Sequence, residues 1–436
     1  MRLVKTRLSL EWDRRPLKKP SKLRVAWTAG RLFGRHALRP GNGTSDRDLA
    51  LGELLTTQLD EMKGLAMKIG QIVSYMGVPL SEPVQSTLAR LQTGERGMDP
   101  EIARAAVEYG LGAPLETLFD EFEIKPIAAA SIGQVHRAQL GGQQVAVKVQ
   151  YPDVAGTFNR DLSTVGRFAS LASFASAVDG AAIVNELALR LEEECDYARE
   201  ARMQQGFARA FSDDPQVLVP AVVPKRSSAT ILTSTWVDGD GFDKFCAVAD
   251  ASQRDAAAAT IVRFSYRSLF QFAAIQADPH PGNFIFLSGG RVAFLDFGCV
   301  RAFDVVFVEL LRQLARSVRD HDRSAFRSTA IDLGVVGRPT RFDFDHFFKV
   351  MEHLHRPLIA ERFRFTDEYV KEGYTYNGPT SPNARSLSIP SPYVWVMRLQ
   401  WGLWSILAKL GAEGSFAGLF DELLSHPVEP LPVTET

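Results

Sequence analysis

The sequence predicts an α+β fold of two lobes with a cleft between them. The first lobe contains a small antiparallel sheet, and the second is mostly helical. Apolar residues recur at helical spacing in residues 46–76. Two strand-like runs flank Gly141-Gly142, and helical patterns dominate from about residue 303 onwards. We therefore expect a basic arm at residues 1–45 and a helical extension at 46–122. A small lobe with inserted helices should follow at 123–237, and a large lobe at 238–436.

Glycine and proline punctuate the first half of the chain. They split residues 101–122 into two short helices. Strand patterns follow at 127–140 and 144–150. Helical patterns return over 158–210, and a short strand is predicted at 230–237.

The second half continues with a helix over 251–275. Strands at 283–287 and 291–295 pair across Ser288-Gly289-Gly290. A loop rich in glycine, proline, serine and asparagine is expected at 374–392.

Composition indicates an ordinary globular protein, with 45% hydrophobic and 23% charged residues and a net charge of −1. The charge is uneven, because residues 1–40 hold twelve Lys/Arg and two acidic residues. Such an arm can contact an anionic membrane surface or lipid, or it can stay solvated or dock on the acidic remainder of the chain. We expect no nucleic-acid partner, and the sequence does not indicate an oligomeric state.

Location follows from the cysteines and the apolar runs. The three cysteines are widely spaced without a CxxC pair, which argues against a disulfide framework and a zinc site and favours a reducing compartment. No signal peptide or membrane-spanning run is recognised. The most apolar segment, 393–410, contains Arg398 and Lys409, so we interpret it as a largely buried helix, with a membrane-surface helix as the alternative. The expected location is cytoplasmic, either free or peripheral to a membrane.

A metal site is predicted where Asp296 closes the apolar run 292–295 and is followed by Phe297-Gly298. A carboxylate at a strand end can hold Mg²⁺ together with phosphate oxygens. Taken alone, this tripeptide is more typical of a strand-terminating turn. The neighbouring motif at residues 278–283 argues for the metal site.

Asp278 and Asn283 are five residues apart in a loop stiffened by two prolines and a glycine. This is the D-x-x-x-x-N spacing of a kinase catalytic loop. Asp278 can orient a hydroxyl or water and accept its proton, and Asn283 can offer a carbonyl oxygen to Mg²⁺. The bland alternative is a rigid turn with a capping aspartate.

A phosphate cradle is predicted upstream. The alanine-rich loop, residues 128–135, contains Ala128, Ala129, Ala130 and Ser131 and precedes the strand that carries Lys148 in Val145-Ala146-Val147-Lys148. That tetrapeptide matches the V-A-I-K pattern, whose lysine contacts the α- and β-phosphates of ATP and a helix glutamate. We predict that this glutamate is Glu200. The acidic run before it is otherwise typical of a solvated helix face.

In these motifs the chain resembles the UbiB/AarF family of atypical kinases, which includes proteins that support coenzyme Q biosynthesis. The resemblance runs from about residue 50 to 412 and implies a bilobal, protein-kinase-like fold that binds ATP and Mg²⁺. Lys68 and Gln71 match the family's KxGQ signature, on a helical extension that restricts access to the active site. Glu194 and Asp196 match its ExD element, which implies a regulatory contact with the KxGQ lysine and the metal region.

Two departures modify what the resemblance implies. Many family members have histidine where this chain has Gln276, which affects loop support more than metal ligation. No Ala-Pro-Glu motif follows Asp296, so the peptide-docking lobe of true protein kinases is not supported.

Geometry also constrains the ExD element, because residues 194 and 196 lie about 200° apart on a regular helix and share a site only if the helix bends or starts there.

We therefore expect an ATP/Mg-dependent atypical kinase or ATPase that acts in isoprenoid quinone or membrane lipid metabolism. One alternative is a small-molecule phosphotransferase of the aminoglycoside or choline kinase type, whose loop resembles residues 278–283. Another is a nucleotide-binding pseudokinase that acts as a regulatory switch. The phosphoryl acceptor is not encoded in any motif that we recognise.

Overall fold

The computed structural model describes residues 98–130, 132–152, 154, 192–376 and 381–433. The basic arm, the helix predicted at 46–76 and the helical pattern before residue 192 lie outside the described residues. So do Lys68, Gln71 and Ser131, whose predicted roles remain predictions.

A five-stranded antiparallel sheet forms the small lobe. Its strands follow the order β1-β3-β4-β6, and β2 pairs with β3 on the same side as β1. The turn between β3 and β4 places Gly141 and Gly142 at φ values of 58° and 76°, the left-handed region that glycine adopts at no steric cost. The strands are β1 (Glu121–Phe122), β2 (Ala128–Ala130), β3 (Gly133–Leu140), β4 (Gln143–Gln150) and β6 (Ile231–Thr235).

The strand predicted at 127–140 is wrong in one respect. It is two strands, since β2 ends at Ala130 and pairs antiparallel with the start of β3. No proline signals that turn, and its only glycine lies at the start of β3. The alanine-rich loop is thus a hairpin at one end of the sheet.

Two helices, α1 (Pro100–Leu111) and α2 (Leu115–Leu118), cover the sheet, close to the prediction for 101–122. Asp99 caps α1 with its side chain, and Gly112 ends it at φ 72°. Val107 of α1 is fully buried in a cluster with Val145 and Val147 of β4. Phe122, which we assigned to the extension, lies in β1 of this sheet.

A third helix, α3 (Tyr197–Ala210), lies between the lobes. Asp196 is its N-cap and accepts a hydrogen bond from the backbone N–H of Arg199. The helix therefore starts immediately after the ExD element, which is the geometry that this element requires. Phe207 on its inner face is fully buried in the core of the large lobe.

The large lobe is mostly helical from residue 305 onwards, as predicted. Its buried core is built around α5, with Phe264 and Trp404 among its largest fully buried side chains. The helices are α4 (Phe242–Val248), α5 (Ala251–Phe270), α6 (Val305–Arg319), α7 (Arg323–Asp332), α8 (Phe344–Ile359), α9 (Asp367–Tyr376), α10 (Ser391–Leu410) and α11 (Ala417–Ser425).

Short strands of the large lobe carry the motif loops. A four-stranded sheet has the order β5-β10-β9-β7, and β8 pairs with β11 and β12 with β13. The predicted hairpin at 283–295 is confirmed as β9 and β10. The strands are β5 (Val217–Leu218), β7 (Asp240–Gly241), β8 (Ala274–Gln276), β9 (Phe284–Phe286), β10 (Val292–Phe294), β11 (Val300–Ala302), β12 (Phe363–Arg364) and β13 (Glu413–Gly414).

Two predicted boundaries in this lobe are wrong. The helix predicted over 251–275 ends at Phe270, because residues 274–276 pair with β11 and this tertiary pairing overrides the helical pattern. The loop predicted at 374–392 begins later, since α9 runs to Tyr376.

Helix α10 contains the apolar segment 393–410 and is largely buried, as predicted, with Leu403, Trp404 and Leu407 in the core. Among the helices that the structure describes, none is long and apolar enough to cross a bilayer. No disulfide joins the three cysteines.

Candidate active site

Lys148, Glu200 and Asp296 meet where the two lobes face each other. Nζ of Lys148, at the end of β4, lies 2.8 Å and 3.0 Å from the two carboxylate oxygens of Glu200 on α3. It also lies 3.5 Å from Oδ2 of Asp296. The side chain of Glu200 is 3% exposed, whereas that of Asp296 is 42% exposed. The structure thus brings together three residues that the sequence assigned to one site.

Burial and charge perturb both members of this ion pair. Burial raises the pKa of Glu200 to about 7, and the positive charge of Lys148 only partly opposes the rise. Burial alone favours the neutral amine of Lys148, but the carboxylates of Asp296 and Glu200 outweigh it and raise the pKa of Lys148 well above its ordinary value. Lys148 is therefore a fixed cation at neutral pH.

The alanine-rich loop lies on the neighbouring hairpin. Ala128 and Ala129 are exposed and Ala130 is half-buried, as expected for a surface that a ligand can approach. The following Gly133 begins β3 where space is tight, since a Cβ there would lie 2.3 Å from the backbone oxygen of Val149. Only glycine fits at this position without moving the hairpin.

Asp278 and Asn283 belong to a rigid loop between β8 and β9. The side-chain amide of Asn283 donates to the backbone oxygen of Asp278 at 3.0 Å, which leaves its carbonyl oxygen for another partner. His280 accepts from the backbone N–H of Gly282 through Nδ1, which helps to fix the conformation of the loop. Oδ1 of Asp278 lies 2.7 Å from a guanidinium nitrogen of Arg398 on α10.

Asp296 adopts a strained backbone conformation. Its φ of 59° lies in the left-handed region, which is unusual for a residue other than glycine. Oδ1 accepts from the backbone N–H of Gly298 at 3.1 Å, while Oδ2 faces Lys148. The side-chain amide of Gln276 donates to the backbone oxygens of Leu295 and Asp296, in line with its expected part in loop support. Strain that the surrounding contacts hold in place is typical of functional sites.

Helix α3 and the segment after Asp296 are joined by Arg199. Its guanidinium donates to the backbone oxygens of Gly298 at 2.9 Å and Val300 at 3.0 Å. Phe297 is fully buried and its ring centroid lies 5.0 Å from that of Phe207 on the same helix. The helix that carries Glu200 and the segment that carries Asp296 are therefore held together.

The ExD residues lie at the start of the same helix. Glu194 is half-buried, and its negative charge contributes to the raised pKa of Glu200. Asp196 caps α3, and its second oxygen lies 4.0 Å from Arg202. The predicted contact of these residues with Lys68 involves a residue outside the described part of the chain.

Three side chains at the site were missed by sequence reasoning: Tyr197, Arg199 and Arg398. The ring of Tyr197 lies 5.0 Å from Nζ of Lys148, and its hydroxyl is buried without a hydrogen-bond partner among the described residues. Arg199 and Arg398 form hydrogen bonds with residues that lie 99 and 120 positions away in the sequence. For Arg398, the available signal was a charged residue in the middle of the mostly apolar α10.

The donor set fits Mg²⁺ better than a transition metal. Asp296 supplies a carboxylate and Asn283 an amide oxygen, and Mg²⁺ is usually bound by one or two such groups together with substrate phosphates. In the described part of the chain, no three side chains among His, Cys, Asp and Glu converge into a metal cluster. A metal at this position would therefore depend on phosphate oxygens as further ligands.

Comparison with known proteins agrees with this geometry. The model of the ABC1 atypical kinase-like domain matches residues 90–330, more than half of the chain. "Atypical kinase COQ8, mitochondrial" from Saccharomyces cerevisiae is 30% identical over 89% of this chain and 80% of its own length. "Protein ACTIVITY OF BC1 COMPLEX KINASE 1, chloroplastic" from Arabidopsis thaliana is 32% identical over 63% of this chain and 41% of its own.

The architecture also matches a solved structure. The complex of Rv3197 with erythromycin from Mycobacterium tuberculosis superposes with a TM-score of 0.65 at 28% identity, over 87% of this chain and 97% of that one. The α+β, bilobal kinase-like fold and the kinship with atypical kinases are thereby confirmed. The chain belongs to the ABC1 atypical kinase-like family.

Proposed function

We propose that this protein binds ATP with Mg²⁺ in the cleft and transfers or hydrolyses the terminal phosphate. The observation that carries the proposal is the contact of Lys148 with both Glu200 and Asp296. A lysine so placed can meet phosphate oxygens while Asp296 faces the same space. Kinases require both the lysine–glutamate pair and the metal-binding aspartate to be in place for phosphoryl transfer.

Each residue has a distinct part in this reaction. When bound, Mg²⁺·ATP supplies the phosphoryl group and neutralises part of the charge that develops during transfer. Lys148 provides a fixed positive charge for phosphate oxygens, and Glu200 holds its ammonium group in place. Asn283 and Asp296 provide oxygen ligands for the metal. Asp278 orients the attacking hydroxyl or water and accepts its proton.

The metabolic role is inferred from kinship. The relatives' printed names describe atypical kinases, and resemblance to the UbiB/AarF family supports a role in isoprenoid quinone or membrane lipid metabolism. The basic residues of the arm support contact with an anionic membrane surface. A cytoplasmic protein that associates with a membrane only at its surface is consistent with both.

Turnover tests the proposal. We expect Mg²⁺-dependent release of phosphate from ATP by the full chain, assayed with and without anionic liposomes. Asp278→Asn should lower kcat by about 10²-fold or more while ATP binding is retained, since a general base contributes about 10²–10⁴-fold. Asp250→Asn, which alters only the cap of α5, is the matched control and should keep the wild-type rate.

The same assay separates the alternatives. Nucleotide binding without turnover under every condition would favour the regulatory switch. Phosphorylation of choline or an aminoglycoside in place of lipid-stimulated turnover would favour the small-molecule phosphotransferase. Turnover that is the same in wild type and Asp278→Asn would contradict the assignment of Asp278.

A further inference from the structure

Helix α10 touches the loop of Asp278 at two points. A guanidinium nitrogen of Arg398 lies 2.7 Å from Oδ1 of Asp278. One helical turn later, a Cβ on Gly402 would lie 2.2 Å from the ring of Pro279, which follows Asp278 in the chain. Residues four apart share a helix face, so a single face of α10 contacts this loop with an arginine and a glycine.

The Arg398–Asp278 pair is partly shielded from water. The side chain of Arg398 is 11% exposed and that of Asp278 is 28% exposed. A charge-assisted hydrogen bond with limited access to water is stronger and better oriented than a surface ion pair. Asp278 is therefore held in one orientation, with Oδ1 directed towards α10.

Arg398 is itself held in place by neighbouring groups. Its guanidinium carbon lies 5.6 Å from the ring centroid of Trp395, one turn earlier on α10. The guanidinium of Arg301 lies 4.7 Å from the same ring, and Arg301 also pairs with Glu193 at 2.5 Å. Cation–π contacts of this kind restrict where a long arginine side chain can reach. The position of Arg398 is therefore defined before any substrate binds.

We propose that Arg398 is the positioning residue of Asp278: it binds Oδ1 and thereby presents Oδ2 to the acceptor hydroxyl. This inference rests on the proposed function. In the reaction, the oxygen of the acceptor forms a bond to phosphorus, the bond from phosphorus to ADP breaks, and the acceptor's proton passes to Oδ2. In this role Arg398 acts through Asp278 and exchanges no proton with the acceptor. Gly402 complements it, because its missing side chain lets the loop lie against α10.

Substitution of Arg398 tests this role. We expect Arg398→Ala to lower kcat for ATP turnover by about 10²-fold, the loss typical of a group displaced by about 1 Å, while KM for ATP stays within about threefold. The kcat of Arg398→Lys should lie between those of wild type and Arg398→Ala, because a lysine supplies the charge without the planar set of donors of a guanidinium group. Added guanidinium ion should partly restore kcat of Arg398→Ala, which a general loss of structure would not allow.

Arg267 provides a matched control. It has similar exposure, 16%, pairs with Asp213 at 3.0 Å and stacks its guanidinium over Phe211, all in the large lobe. Arg267→Ala removes an arginine with at least as many polar contacts, to Asp213, Asp214 and Gln271, away from the loop. We expect its kcat to stay near the wild-type value and to show no response to guanidinium.

Hydrogen exchange of residues 274–287 tests the positioning independently of turnover. Arg398→Ala should raise exchange in this segment several-fold, and Arg267→Ala should not. Unchanged loop exchange in Arg398→Ala, or raised exchange with unchanged kcat, would overturn the proposal. A wild-type protein without any turnover would refute the proposed function instead, and loop exchange would then decide the positioning role alone.

Discussion

Replacing Glu200 by glutamine should change how protein stability depends on pH. Burial raises the pKa of Glu200 from 4.5 to about 7, and the charges of Asp296 and Glu194 add to the rise against the opposing effect of Lys148. A carboxyl group with a raised pKa stabilises the fold fully below its unfolded pKa, and this stability is lost as the pH rises through the folded pKa. Glutamine has no such titration.

The size of the effect follows from the shift. A rise in pKa from 4.5 to about 7 corresponds to roughly 3 kcal/mol, at about 1.4 kcal/mol for each pH unit. We expect the unfolding free energy of wild type minus that of Glu200→Gln to fall by about 3 kcal/mol between pH 4.5 and pH 7. Subtraction of the two curves removes the titration of groups that do not interact with residue 200.

Urea unfolding at a series of pH values measures this difference. Glu116→Gln is a control for which the opposite pH dependence is expected, because hydrogen bonding to Arg104 lowers the pKa of the exposed Glu116. The wild-type minus variant difference should therefore rise with pH for Glu116. A difference for Glu200→Gln that is constant or rises with pH would refute the reasoning about this buried pair.

Two further substitutions test contacts around the same site. Arg199→Leu removes the donors to the backbone oxygens of Gly298 and Val300, so the Mg²⁺ concentration for half-maximal turnover should rise about tenfold, or about 1.4 kcal/mol. An unchanged Mg²⁺ dependence would contradict this role of Arg199. Gly133→Ala places a Cβ 2.3 Å from the backbone oxygen of Val149 and should destabilise the protein by about 1–3 kcal/mol, seen as a lower midpoint in thermal unfolding. A midpoint equal to that of wild type would show that the hairpin moves aside freely.

Short motifs in the sequence predicted much of the site. The V-A-V-K strand, the Asp278–Asn283 spacing and Asp296 were each recognisable locally, and the choice of Glu200 as the partner of Lys148 agrees with the 2.8 Å contact. The fold places these motifs in one cleft because each lies at the end of a strand or at the start of a helix. Local chemistry was therefore sufficient for these residues.

Tertiary contacts explain what could not be predicted. Residues 274–276 carry a helical pattern but form β8, because a strand distant in sequence pairs with them. Arg398 interrupts an apolar run, and only the packing of α10 reveals that its charge meets Asp278. Similarly, Arg199 was visible beside Glu200, but its carbonyl partners lie about 100 residues away. Pattern analysis does not include such long-range partners.

The central claim is that Asp296 helps to hold Mg²⁺ with ATP in the cleft. Calorimetric titration of the full chain with ATP, with and without Mg²⁺, tests it most directly, using Asp296→Asn and the surface control Asp421→Asn. We predict that Mg²⁺ tightens ATP binding in wild type and in Asp421→Asn but not in Asp296→Asn. Equal tightening by Mg²⁺ in all three proteins, or no ATP binding by any of them, would contradict the account.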